Sequence, residues 1–520
     1  MTRATDPVVV STRSGAVRGI RAGAGAVFCA IPFAVPPVGE RRFRPPQPPR
    51  PWTGVRDGTA FPPAPPQTRA MPAPAGRSLS SRGAAMMDAA RRMGDTSAED
   101  CLYLNVWTPS IHTKSPVLVW IYGGGFETGS ASPPKFDGAA VSRLTGAVVV
   151  AANYRLGALG WVYPTGPDRA EWADSANLGL QDQAAALRWV SENIAAFGGD
   201  PDNITVGGGS AGAFSVGALL TQPAAAGTFH QAILHSGSTG RVYTPEIAES
   251  ITTDLFSVLG VTDMHGLTAV PLEDILRAQV TVIDSDIGVR SLPGGRAWGV
   301  VHDGTVVVEH PHDAVRAGTA AGIPLLIGAN KDEFRMFAAL AGDSYRPPDE
   351  SWLRAEMARA GVERTRDLLA AYRIRLRTRP ATAPAPDALE ELRTLFLSDA
   401  VYRVPAIRLA RAQTAAGGRA YTYLFEGSPF GEPGGAYHSV EAMYLYDKLA
   451  ALDIDTPEHR AVRDALAGAW ARFLATGDPG WPAYDFAQRA NTYQIGPTTA
   501  FAAEPPEDVA AYWLSAACDA

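Results

Sequence analysis

Gly208-Gly209-Ser210-Ala211-Gly212 sets a serine among glycines, after the apolar run 204–206 and before the small-residue stretch 213–220. A serine lifted clear of a sheet on a sharp strand-to-helix turn needs a strained backbone, and glycines on both sides leave room for it. The helix that follows would point free N–H groups and the positive end of its dipole at a developing oxyanion. The chemistry in view is nucleophilic attack on a carbonyl. A second signal fits it. Tyr122-Gly-Gly-Gly-Phe126 closes the apolar run 117–122, and consecutive glycines can turn N–H groups inward with no side chain in the way. Losing one oxyanion donor costs about 2.7–4 kcal/mol of transition-state stabilisation, so such a loop matters in acyl transfer. Either pattern alone is an ordinary Gly-rich turn; the pairing of the two is what points to acyl transfer.

A nucleophilic serine needs a base, and an acid to orient that base. In this arrangement the chain order is nucleophile, acid, histidine. Adjacent acids follow the apolar run 324–327 in Ile327-Gly-Ala-Asn-Lys-Asp-Glu-Phe334, and the residues alone do not separate Asp332 from Glu333. Of the nine histidines only His438 and His459 lie beyond them. His459, in Thr456-Pro-Glu-His-Arg, reads as the solvated start of a helix. His438 follows the Gly-rich loop 431–435 beyond the apolar run 420–425 and is the better base. His310-Pro-His312, flanked by Glu309 and Asp313, reads as a polar loop, because no His-Glu-x-x-His or further ligand cluster accompanies it. Nor does any Gly-x-Gly-x-x-Gly stand where a dinucleotide would need it. Neither metal nor cofactor is expected.

The elements that must position these residues have a clear rhythm. Runs of five to seven residues, apolar on both faces and bounded by glycine, suit central strands of a parallel sheet. They occur at 117–122 and 147–152; shorter or similar runs follow at 204–206, 232–235, 324–327 and 420–425, with helical stretches between, such as 181–196. Strand then helix, repeated, means an α/β fold around a largely parallel central sheet flanked by helices. The first twenty-odd residues alternate around Ser14-Gly15 and read as a hairpin at a sheet edge. Residues 32–74, rich in Pro, Gly and Arg, read as extended loop, and 76–98 as a weakly helical surface insertion. A helical region from about 340 to 413 reads as a subdomain over the sheet.

The chain has 520 residues, 46 Lys+Arg against 53 Asp+Glu, and a net charge of −7. Length alone suggests about three domains, but landmarks running from Phe28 to Trp481 indicate one enlarged catalytic domain over 1–520. A mildly acidic chain without a basic run is not a nucleic-acid binder, and no window approaches the roughly 18 apolar residues of a membrane span. Cys29, Cys101 and Cys518 make neither a disulfide framework nor a four-ligand zinc site. The opening MTRATDPVVV puts Asp6 and Pro7 where a signal peptide would carry its apolar core. The expected protein is cytoplasmic, with a monomer favoured and a small molecule as its partner.

Taken together, these segments resemble the type-B carboxylesterases, the family of bacterial p-nitrobenzyl esterases, carboxylesterases and cholinesterases. The likeness runs from about residue 8 to the end. Phe28-Cys-Ala-Ile-Pro-Phe-Ala34, with Pro36-Pro37 and Arg42-Phe43, is similar to the family's N-terminal block, and Glu99-Asp-Cys-Leu-Tyr-Leu-Asn-Val-Trp107 to its second signature. Asn153-Tyr-Arg-Leu-Gly157, Gly179-Leu-Gln-Asp-Gln183, Phe197-Gly-Gly-Asp-Pro201 and the segment from Trp470 to Trp481-Pro482 are further hallmarks.

The resemblance implies an α/β-hydrolase fold with helical insertions over the active site, and ester hydrolysis through an acyl-enzyme. It implies Ser210 as nucleophile, Glu333 as the acid, His438 as base, and the N–H groups of Gly124, Gly125 and Ala211 as oxyanion hole. It also places Glu441 close behind the histidine and Ser236 against the acid. Amide or carbamate cleavage of a natural product or xenobiotic with the same residues is the alternative, and a non-catalytic binding relative a further one. Three departures stand out. Gly209 replaces the usual Glu or Gln before the nucleophile, which argues against a preference for cationic substrates. Phe334 replaces a small residue. The usual disulfide partner of Cys101 is absent from 61–67, which leaves Cys101 a buried thiol, as in a reducing compartment.

Overall fold

The computed structural model describes residues 7–67, 97–133, 136–286, 297–377, 388–431, 434–488 and 490–513. The insertion read at 76–98 lies outside these but for its last two residues, and Cys518 lies outside them too. Among the described residues, thirteen strands join one sheet. Strands β1 (Pro7–Thr12), β2 (Gly15–Ala22) and β3 (Gly25–Pro32) form an antiparallel meander, so the expected hairpin is present and β1 is the sheet's edge. Strand β4 (Val55–Asp57) lies beside β2, and β5 (Tyr103–Thr108) continues antiparallel from β3.

The central strands are β6 (Ser115–Ile121), β7 (Val148–Ala152), β8 (Gly199–Gly209) and β9 (Gln231–His235). A separate parallel pair is β10 (Val242–Tyr243) with β11 (Val300–Val301). The sheet resumes with β12 (Leu325–Asn330), β13 (Ala420–Phe425), β14 (Thr492–Ile495) and an antiparallel edge, β15 (Ala500–Ala502). In space the order is β5-β7-β6-β8-β9-β12-β13-β14, parallel from β7 to β14. The largely parallel sheet of an α/β-hydrolase is therefore the observed architecture.

Strands β7, β9, β12 and β13 are buried at every position. Their unbroken apolar runs reflect cover on both faces, and each fully buried Leu or Ile contributes about 1.5–3 kcal/mol. Strand β8 outruns the apolar core 204–206 on which it is read. Gly207–Gly209 have little strand preference of their own, but Gly207 and Gly208 pair with β6 on one side and β9 on the other, and Gly209 pairs with β9; those ladders hold them extended.

Helix α1 (Leu178–Asn193) starts three residues before the sequence reading and passes into a 3-10 turn, Ile194–Phe197. Helix α2 (Ala211–Leu219) begins immediately after Ser210 and packs on β6, β8 and β9. The expected helical region holds α3 (Glu350–Arg359), α4 (Thr365–Arg377), α5 (Leu389–Ser398) and α6 (Val404–Ala415). A π-helical turn, Asp399–Arg403, joins the last two. Among the described residues no helix is long and apolar enough to cross a membrane.

Candidate active site

Ser210 has φ 55° and ψ −123°, a conformation that costs a non-glycine residue free energy. Hydrogen bonds on both sides hold it there. Its N–H donates to the His235 carbonyl at the end of β9, 2.9 Å away, and its own carbonyl accepts the first helical bond, from Phe214 N–H at 3.0 Å. Gly208 and Gly212 are there for packing. A Cβ on Gly212 would lie 1.9 Å from the Ile121 carbonyl oxygen, and one on Gly208 2.4 Å from the Gly212 backbone. Strand β8, the tip of β6 and α2 touch backbone to backbone, which is what permits so sharp a turn.

The second glycine loop presses on the same serine. A Cβ on Gly123 would meet the Gly209 carbonyl oxygen at 2.7 Å and Ser210 Cβ at 2.9 Å. Gly124 has φ 126° and Gly125 φ 65°, so the loop needs residues free to take positive φ. Its turn is closed by Glu127 and Thr128 N–H groups donating to the Gly124 carbonyl. On the other side of Ser210, the first N–H groups of α2, Ala211 included, have no acceptor within the helix. The three N–H groups expected as oxyanion donors therefore stand on the two elements that border the serine.

Of the two adjacent acids, Glu333 meets the histidine: its Oε2 is 2.6 Å from His438 Nδ1. Both residues are buried, and His438 N–H donates to the Glu333 carbonyl at 3.2 Å. Glu333 Oε1 accepts from Ser236 Oγ at 2.5 Å and from Asn330 N–H at 2.8 Å. Asp332 turns elsewhere, accepting Ala436 N–H at 3.1 Å and facing Arg335 Nε at 3.4 Å. No hydrogen bond joins Ser210 to His438 in this arrangement; in ligand-free enzymes such bonds are often long and tighten when substrate binds. Ser236, next in the chain to the residue that holds Ser210 N–H, links the serine's surroundings to the Glu333 carboxylate.

Several residues of the site escape a reading by motif. The His438 ring lies 4.8 Å from the Tyr402 ring and 5.2 Å from that of Phe337, and Phe334 packs on both of those rings. Tyr402 reaches the imidazole from the π-helical turn, the kind of irregularity often found at functional sites. Asn330 and His235, at the carboxyl ends of β12 and β9, lie directly behind the acid. The rule that α/β sheets carry function at strand carboxyl ends would have flagged both. Glu441 Oε2 accepts Asn330 Nδ2 at 2.8 Å and faces His235 Nε2 at 3.2 Å. Burial pushes its carboxyl up, but His235, Asn330 and His438 together outweigh that, and the net shift is downward.

The departures also take shape. A Cβ on Gly209 would meet the Trp120 ring no nearer than 3.4 Å and the His235 carbonyl oxygen at 4.0 Å, so its lack of a side chain is not a packing necessity. The Phe334 N–H donates to Ser398 Oγ at 3.1 Å, tying the end of α5 to the acid's neighbour. Cys29 and Cys101 are buried free thiols, and burial raises both pKa values, that of Cys29 to about 12. His459 contacts Tyr444 Oη at 3.0 Å and lies away from the serine's partners. Among the described residues no group of three or more His, Cys, Asp or Glu is placed to hold a metal ion. His310 instead accepts the His312 N–H at 3.3 Å, and His312 Nδ1 faces Thr239 Oγ1 at 3.1 Å.

Comparison with known proteins gives a consistent result. The family described as "Carboxylesterase family" matches residues 6–510. A para-nitrobenzyl esterase of Bacillus subtilis (strain 168) is 33% identical over 494 residues, 92% of each chain. A cholinesterase of Mus musculus is 30% identical over 92% of this chain and 81% of its own. Among solved structures, the carboxylesterase of Geobacillus stearothermophilus at pH 6.2 superposes with a TM-score of 0.81 and 35% identity. That match covers 97% of this chain and 99% of the other.

Proposed function

The chain belongs to the carboxylesterase family and is a serine hydrolase of carboxylic esters, and we propose that it works through an acyl-enzyme formed on Ser210. In this reading His438 Nε2 takes the Ser210 proton as Oγ attacks the ester carbonyl. Glu333 holds Nδ1–H, fixes the tautomer and stabilises the imidazolium that forms. The tetrahedral oxyanion rests on the N–H groups of Gly124, Gly125 and Ala211, and His438 then returns the proton to the departing alcohol. Water repeats the sequence on the acyl-enzyme.

The observation that carries this reading is the buried 2.6 Å bond between Glu333 and His438. It occupies Nδ1 and leaves Nε2 as the nitrogen free to act as base. A short-chain chromogenic ester assay on the natural chain and on Ser210→Ala tests it. Turnover should fall to background in the variant, and a phosphonate ester should label Ser210; equal turnover, or label on another residue, refutes it. We further read 1–520 as one catalytic domain, supported by a buried apolar cluster that runs from Val8 to Trp513. The reading of a cytoplasmic, monomeric enzyme is supported by the two unpaired buried thiols and by the short β15 edge.

A further inference from the structure

His235 has no part in the steps above, yet it sits beneath them. It is the last residue of β9, its exposure is 1%, and its carbonyl holds the Ser210 N–H. Its Nδ1 is hydrogen-bonded to Tyr423 Oη at 2.5 Å, and its Nε2 stands within ion-pair distance of Glu441 Oε2, 3.2 Å away, with no well-directed hydrogen bond. The fold makes space for that arrangement. A Cβ on Gly328 would fall 2.1 Å from the Tyr423 ring, so a glycine in β12 is what lets the tyrosine reach under His235. Glu441 is bridged to the acid through one residue, Asn330, whose Nδ2 donates to Glu441 and whose N–H donates to Glu333.

Two buried carboxylates, Glu333 and Glu441, thus stand close to one catalytic imidazole. Like charges in a low-dielectric site repel, and both act on the imidazolium that forms at His438 during the reaction. We propose that His235 is a positioning residue: held as an imidazolium by Glu441, it cancels that second negative charge, so that Glu333 alone orients His438 and stabilises its imidazolium. This rests on the assignment of Ser210, His438 and Glu333 made above. Burial pulls the His235 pKa down, but Glu441, Glu333 and Asn330 together outweigh it, and the net shift is upward.

The charged and titratable groups facing His235 are Glu441, Tyr423 from β13 and, more distantly, Glu333. Those facing His438 are Glu333 and Glu441, with Tyr402 and Phe337 on its flanks. The nearby Asp332 and Arg335 form their own pair and compensate each other.

The test measures kcat/KM against pH for the natural chain, His235→Gln, Glu441→Gln and the double variant, together with NMR titration of the 13C-labelled imidazoles of the natural chain. The acid limb of His235→Gln should move up by about one pH unit, the effect of one uncompensated buried carboxylate. The double variant should return it to its original position. The His235 resonance should report a charged ring through neutral pH. A purely structural role would lower kcat and leave the limb where it was; an unmoved limb in active His235→Gln overturns the proposal. So does a neutral His235 at pH 7, a result that does not depend on whether the variants fold. Activity surviving in Ser210→Ala would instead overturn the assignment of the nucleophile, so the two failures are distinct.

Discussion

Replacing Glu333 by Gln changes one atom, and the structure dictates how that change is read. The carboxylate accepts three donors: Ser236 Oγ and Asn330 N–H on Oε1, and His438 on Oε2. A glutamine has one oxygen and one NH2 to place. Asn330 N–H is a fixed backbone donor, so the amide oxygen must take the Oε1 side, which turns the NH2 toward His438 Nδ1. Nδ1 must then accept, the ring proton moves to Nε2, and the nitrogen facing the serine can no longer take a proton. A wrong imidazole tautomer costs an analogous serine hydrolase about 10⁴ in kcat, close to 5 kcal/mol. We expect a loss of about 10³–10⁴ in kcat for Glu333→Gln with a small change in KM, because the residue is buried and touches no substrate. Asp332→Asn is the internal control. That acid caps Ala436 N–H and pairs with Arg335, so its loss should lower stability and leave kcat within about tenfold. Hydrolysis of a p-nitrophenyl ester, fitted for kcat and KM separately, decides the matter. Glu333→Gln within tenfold of the natural chain, or Asp332→Asn as damaging as Glu333→Gln, refutes the reasoning.

Gly209→Glu should fold, since the added Cβ comes no nearer than 3.4 Å to its neighbours, and it should raise kcat/KM for a cationic ester relative to its neutral isostere; an unchanged ratio contradicts the substrate argument. Gly212→Ala should be strongly destabilising, by about 4 kcal/mol or more, because its Cβ falls 1.9 Å from the Ile121 carbonyl oxygen. Gly322→Ala, in open space, should be neutral in the same denaturation assay. The His235–Glu441 pair should leave its mark on stability. The raised pKa of His235 contributes stability that is full below about pH 6.5 and fades as pH rises through the folded value; the lowered pKa of Glu441 contributes above about pH 4.3 and fades as pH falls through its own. The thermal midpoint of His235→Gln should therefore fall furthest behind the natural chain between those limits, and a uniform offset across pH would count against the pair.

The hallmark segments show why so much was legible in the chain and why some was not. Arg42 and Glu99, quoted from two separate signatures, form a charged pair at 2.5 Å, and Arg155 and Asp182, from two others, form a buried one at 2.7 Å. The signatures are halves of contacts, and a linear reading recognises each half without its partner. The central strands were readable because burial on both faces leaves an unbroken apolar run, a local property of sequence. Helix starts and the length of β8 were not, because they depend on what the neighbouring strands supply.

The chain by itself determined the α/β architecture, the serine on its strand-to-helix turn and the glycine loop, since each is a short segment whose composition follows from its own backbone. The residues alone did not separate Asp332 from Glu333; the family resemblance pointed to Glu333, and only the tertiary structure gives the physical reason that it is Glu333 which meets His438. The two are chemically near-equivalent neighbours, and what separates them is the direction in which each leaves the end of β12. It alone brought His235, Asn330, Tyr423 and Glu441 into one buried network, from strands and a helix as much as 206 residues apart in sequence. Charges interact through space, and the distances that set their energies do not exist until the chain has folded.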